Sequence, residues 1–195
     1  MQLKRMSYLL GAAWLLSVVA SVAQTASRPV TVHLDQAQTK INWTLGGVLH
    51  TVHGTFLLKY GLVKFDPATG AAQGELIVEA ASGDSGNKMR DGKMQKDVLE
   101  SGRYPEIIFH PVKVTGAFET GAPSDLAVSG TFTIHGVDHP LTLKMHVVPN
   151  GNALTMTTSF EVPYVAWGMK DPSTLMLKVS KEVSIEISGT GTVEP

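Results

Sequence analysis

Residues 126–162 read LAVSGTFTIHGVDHPLTLKMHVVPNGNALTMTTSFEV, and their apolar side chains fall on alternate positions in three runs. The runs are Leu126, Val128, Phe132 and Ile134, then Leu141, Leu143, Met145 and Val147, then Leu154, Met156, Phe160 and Val162. Thr, Ser, Lys, His and Glu fill most of the positions between. Successive strand side chains point to opposite faces, so this spacing predicts three antiparallel strands with one dry and one wet face. The connections His135-Gly136-Val137-Asp138-His139-Pro140 and Pro149-Asn150-Gly151-Asn152 carry the Gly, Pro, Asn and Asp that tight turns need. A dry sheet face must be covered, either by a second sheet or by closure of the sheet into a barrel around a lumen.

The pattern extends outward in both directions. Val30, Val32 and Leu34 alternate, as do Ile41, Trp43 and Leu45. An extended stretch from Val48 to Leu58 puts Val52, Phe56 and Leu58 on one face, and a strand follows from Leu62 to Phe65. After the turn signal Asp66-Pro67-Ala68-Thr69-Gly70, residues Glu75 to Ala80 turn Leu76 and Val78 inward. Between Lys88 and Leu99 the spacing changes: Met89, Met94, Val98 and Leu99 sit three to five apart on a charged background, which predicts a short helical excursion over about residues 88–100, stopped by Gly102. A strand carrying Ile107 and Phe109 follows Tyr104-Pro105. The end of the chain predicts two more strands, Leu175-Leu177-Val179 and Val183-Ile185-Ile187. The expectation is an all-β domain of eight or more antiparallel strands with one helical excursion, and eight is the number at which a closed barrel can just hold a small ligand.

Lys4 and Arg5, the apolar stretch Tyr8–Ala20 and the small residues Ser21-Val22-Ala23 have the form of a cleaved signal peptide over residues 1–23, leaving one domain over 24–195 in the periplasm or secreted. No later segment approaches a membrane-spanning length, so a soluble mature chain is expected. Without Lys4 and Arg5 the chain carries 14 basic and 17 acidic residues, a balance that gives no case for nucleic acid. It contains no cysteine, which excludes disulfides, thiolate metal sites and cysteine nucleophiles together.

Candidate chemistry is sparse. Gly83-Asp84-Ser85-Gly86 matches the string around a serine-protease nucleophile, but no general-base His in a suitable setting accompanies it, and it reads as a polar loop. His50 and His53 are three apart on an extended segment and point to opposite faces, while His135 and His139 flank a turn without a third ligand, so no metal site is expected. Asn42-Trp43-Thr44 fits a glycosylation sequon, yet an inward Trp43 makes its neighbours the wet side of a strand. The cationic group Lys88, Arg90, Lys93 and Lys96 is either a solvated helix face or a contact for a polar head group.

Asn87-Lys88-Met89-Arg90-Asp91, then Ser101-Gly102-Arg103-Tyr104-Pro105-Glu106-Ile107-Ile108-Phe109, then Gly130-Thr131-Phe132-Thr133-Ile134-His135-Gly136-Val137-Asp138-His139-Pro140-Leu141-Thr142-Leu143 together resemble the YceI family of periplasmic polyisoprenoid-binding proteins. From Gly92 to Glu100 the chain departs from the family's usual run and lacks its aromatic pair. The resemblance implies an eight-stranded, lipocalin-like antiparallel barrel whose lumen holds a long isoprenoid chain. Lumen-lining residues would then be Trp43, Phe56, Leu58, Phe109, Phe132, Ile134, Met145, Met156, Phe160, Trp167 and Met169, with Lys88, Arg90 and Lys93 as head-group contacts. The expected function is that of an exported, non-enzymatic carrier of an isoprenoid, quinone or similar lipid, without a cofactor. Transient membrane contact and a homodimer are both compatible with it. The rival expectations are a filled barrel or sandwich acting through protein contacts and, more weakly, an enzyme.

Overall fold

The structure, a computed structural model, describes residues 28–194, and the expected signal peptide lies outside them. Ten strands form one antiparallel sheet: β1 (Val30–Leu34), β2 (Lys40–Leu45), β3 (Val52–Phe56), β4 (Leu58–Phe65), β5 (Ala72–Glu79), β6 (Glu106–Thr115), β7 (Ser124–Ile134), β8 (Val137–Asn150), β9 (Ala153–Val162) and β10 (Val183–Glu194). Closure depends on β10. One of its edges pairs with β9 from Val183–Val162 to Thr192–Ala153. The other edge pairs first with β2, Ser184 to Ser188 against Thr44 to Lys40, and then with β1, Gly191 to Glu194 against Leu34 to Thr31.

β1 and β2 are therefore two halves of one stave, interrupted at residues 35–39. The Asp35 carboxylate holds that interruption by accepting from Ala37 N at 2.8 Å and Gln38 Nε2 at 2.7 Å. Likewise β3 faces β2 and β4 faces β1, so these two also make a single stave, broken at Leu57. The ten strands thus close as an eight-stave barrel, as the resemblance implied.

Several local expectations need correction. The β7–β8 turn has two residues, not six: His135 and Gly136 both take positive φ, 52° and 73°, as in a type I′ turn, whose twist matches the flanking strands. The stretch expected to run extended from Val48 begins its pairing only at Val52, and the strand placed at Leu62–Phe65 starts at Leu58. Residues 175–179 are not a strand. They lie in a long loop joined to the barrel through one bridge, Gly47 to Val179.

The helical excursion is α1 (Lys88–Lys93) continued by a wider π-type turn, Met94–Val98. Asn87 caps it by accepting from Met89 N and Arg90 N, both at 3.1 Å. It ends before Gly102, where Glu100 adopts φ 47°. Met94, Val98 and Leu99 pack on the core, but Met89, expected on the apolar face, is exposed. The helix, the 163–182 loop and the 46–51 loop gather at one end of the barrel, where β2, β5, β7 and β9 end and β10 begins. At the other end Phe118 from the β6–β7 loop packs edge-on to Phe65, ring centroids 5.4 Å apart.

Candidate functional site

The interior is a column of apolar side chains supplied by every stave. Register places Leu126, Met145, Thr158, Ile187, Ile41 and Phe56 in one layer across β7, β8, β9, β10, β2 and β3. Phe109 pairs with both Leu76 and Phe132, and Ile107 with Val78, which carries the lining through β5 and β6. Of the predicted lining residues, Leu58, Phe109, Phe132, Ile134, Met156 and Met169 are buried in this core, and Phe56, Met145, Phe160 and Trp167 are half-buried against it. Trp43 is buried between Phe56, 6.5 Å away ring to ring, and the backbone of Gly54. Met156 points in and its neighbour Thr157 points out.

A solid protein core leaves its large side chains almost no accessible surface. Here they keep some: 9% for Phe132 and 6% for Phe109 and Met156. The inward-facing Phe56, Met145, Phe160, Ile185 and Ile187 keep more and are only half-buried.

The wall is not continuous. The β8–β9 ladder runs from Asn150–Ala153 to Met145–Thr158 and stops, so β8 from Val137 to Lys144 pairs with β7 alone. At the point of separation Thr158 Oγ1 donates to Lys144 O at 2.7 Å. Above it the gap is filled from the 163–169 segment. Trp167 stacks on His139, ring centroids 3.9 Å apart, and stands 5.9 Å from Phe132, which meets Phe160 edge-on at 6.0 Å. The segment is pinned by Trp167 N donating to Pro163 O, Met169 N donating to Tyr164 O, and Tyr164 OH donating to Ser180 O at 2.7 Å. Burial, and to a lesser degree the nearby Asp171 carboxylate, push the Tyr164 hydroxyl up to about 12.

By its sequence setting, flanking Gly136 and Asp138, His139 belongs to the turn. Its register opposite Phe132, an inward position, is the signal that would have placed it in the aromatic cluster. The role of Trp167 as a wedge had no such signal, since it depends on where β8 leaves β9.

Polar groups inside are few. Among the described residues, the buried side-chain atoms without a hydrogen-bond partner are Trp43 Nε1, His135 Nε2 and His139 Nε2. Glu100 Oε1 stands 3.3 Å from His135 Nε2, outside hydrogen-bonding geometry. The three head-group candidates separate. Arg90 is engaged by the Ser85 loop, donating from Nε to Ser85 Oγ at 2.7 Å and from Nη2 to Ser85 O at 2.8 Å, whereas Lys88 and Lys93 are exposed. Ser85 also donates to the buried Asp91 from its hydroxyl and, at 3.0 Å, from its backbone N–H. The Gly83-Asp84-Ser85-Gly86 string is thus a loop clasp, with Asp84 N and O bonded to Thr55. Among the described residues no three His or carboxylate side chains converge as metal ligands. A hollow of about 790 Å³ lies along β7 to β10, and its lining joins Asp125, Lys144, His146 and Glu186 with Leu126, Met145, Thr158 and Ile187 of the interior layer.

A closed antiparallel barrel with an apolar interior and loops gathered at one end is a lipocalin-like architecture. The chain belongs to the YceI-like family, whose domain it matches over residues 33–190. It is 32% identical over 78 residues to a UPF0312 protein of Vibrio campbellii, a match spanning 40% of this chain and 39% of that one. The aligned part is therefore about two fifths of that curated relative. Among solved structures it is similar to Burkholderia cenocepacia BcnA, with TM-score 0.67 and 25% identity over 82% of this chain and 99% of the other. A polyisoprenoid binding domain from Saccharophagus degradans, implicated in plant cell wall breakdown, shares the fold with TM-score 0.64 and 13% identity over 84% of this chain and 98% of that one.

Proposed function

We propose that this chain binds a long apolar molecule of isoprenoid type in the barrel lumen and carries or sequesters it outside the cytoplasm, without catalysing a reaction. The observation that carries this reading is the residual exposure of the inward face: Phe56, Met145, Phe160, Ile185 and Ile187 line an interior that leaves them half-buried. The fold shared with a polyisoprenoid binding domain supports the ligand class, and the signal-like residues 1–23 support export.

The driving force is desolvation. At about 0.3 kcal/mol per heavy atom, each five-carbon isoprene unit adds roughly 1.5 kcal/mol, or about tenfold in affinity. Lys88 and Lys93 at the helix end of the barrel are the candidates to meet a polar head, with Arg90 already committed to Ser85. Titration with polyprenols of increasing length tests the reading. Affinity should rise with each unit until the lumen is full, and a flat series would contradict it.

A further inference from the structure

We infer that the helix end of the barrel seats on an anionic phospholipid surface through two bonded loop tips, a proposal that takes its purpose from the lipid-binding reading above. The tips are Val48-Leu49 and Leu175-Met176-Leu177. Their exposures are 78%, 73%, 94%, 88% and 49%. Single exposed apolar residues are ordinary, but five together at one rim are not.

The tips are held in place. Val48 N donates to Lys178 O at 3.1 Å, and Ser180 N donates to Gly46 O at 2.7 Å. Thr174 N donates to Leu177 O at 2.8 Å, and Thr174 Oγ1 accepts from Leu177 N at 3.1 Å, which closes a tight turn with Leu175 and Met176 at its apex. The Tyr164 hydroxyl anchors the base through Ser180 O.

The charge around them selects the occupant. Lys170, Lys178 and Lys181 flank the tip against Asp171 and Glu182, so the positive charge is in excess by one even with Asp171 attracted to Lys178 and Lys181. Residues 46–51 carry no carboxylate, and α1 exposes Lys88 and Lys93 at the same end, in a chain whose overall charge is −1. A second copy meeting this face symmetrically would set lysines against lysines. A lipid surface bearing phosphate groups offers the opposite charge, and unlike a protein groove it accepts a convex apolar tip of any outline.

Flotation with vesicles of phosphatidylcholine, alone or mixed with phosphatidylglycerol, tests the inference. Wild type should float with the mixed vesicles. Leu175→Asp/Met176→Asp and Lys178→Glu/Lys181→Glu should each partition roughly tenfold or more weakly, with unchanged melting. The inference is overturned if wild type does not partition, or if the Leu175→Asp/Met176→Asp protein floats equally well. It is also overturned if sedimentation shows that the tip instead holds a dimer and leaves flotation unaffected. Wild type that floats but shows no chain-length dependence in the polyprenol titration supports the seat while overturning the lumen reading alone.

Discussion

The Trp167 indole lies flat on the His139 imidazole, 3.9 Å between centroids and 8° between planes, in the gap where β8 has left β9. Strand pairing would normally cover this part of the wall, and here a ring from a loop covers it instead. The covering is therefore the piece of the barrel that side-chain substitution can remove.

Trp167→Ala should cost about 3 kcal/mol, the low end for loss of a large aromatic contact. It should also speed hydrogen exchange at β8 amides between Val137 and Lys144 while leaving the β9–β10 ladder protected. Denaturant unfolding and exchange mass spectrometry check the two effects, and uniform acceleration across the sheet would show that Trp167 is not local to the seam.

Met156 and Thr157 are adjacent in β9 and face opposite ways, one buried and one exposed. Met156→Lys places a charge in the apolar interior, where only water or ligand can meet it. The variant should fold with a loss of a few kcal/mol and release lipid, while Thr157→Lys should change neither property. Melting curves and lipid extraction of the two variants decide this. A Met156→Lys protein that retains lipid like wild type would mean the ligand lies elsewhere.

Alkaline titration isolates Tyr164. Its hydroxyl is raised from 10.0 to about 12 in the folded protein, so the neutral form is favoured there. The associated stability is fully present below pH 10 and is lost as pH rises from 10 through 12. The total is about 3 kcal/mol. Tyr164→Phe should lose about 1 kcal/mol at neutral pH, with the bond to Ser180 O, yet show no such alkaline decline, so the two stability curves should cross. Parallel curves from denaturant midpoints between pH 9 and 12 would contradict the assignment.

Gly136 serves both the turn and the packing beneath it. Its φ is 73°, and a Cβ there would lie 2.4 Å from Tyr104 Cε1, whose ring packs 4.6 Å from His135. Gly136→Ala should therefore destabilise by about 1–3 kcal/mol and loosen residues 100–105, measured by thermal melts and by exchange in that loop. Unchanged exchange there would mean that Tyr104 does not couple the turn to the loop.

The wet-and-dry alternation made the strands legible because each stave buries one face only. The same signal failed where packing is made without apolar side chains. β10 continues inward through Gly189 and Gly191, which lie against Thr39 and Val32, and a hydrophobicity pattern does not register a glycine. Residues 175–179 carry apolar side chains at a strand's spacing, but a strand needs a continuous ladder, and only Val179 finds a partner there, in a single bridge to Gly47. The aromatic residues of the site were visible as candidates. Their grouping was not, because Phe132, Phe160 and Trp167 meet only where β8 and β9 diverge.

Native mass spectrometry of the protein purified without detergent measures the central claim most directly. A lumen that binds an apolar chain predicts one adduct of lipid mass per protein, shed on activation and identified as an isoprenoid-bearing molecule in the organic extract. Folded protein that repeatedly shows the bare polypeptide mass, with nothing apolar in the extract, would contradict lipid carriage and favour a filled barrel.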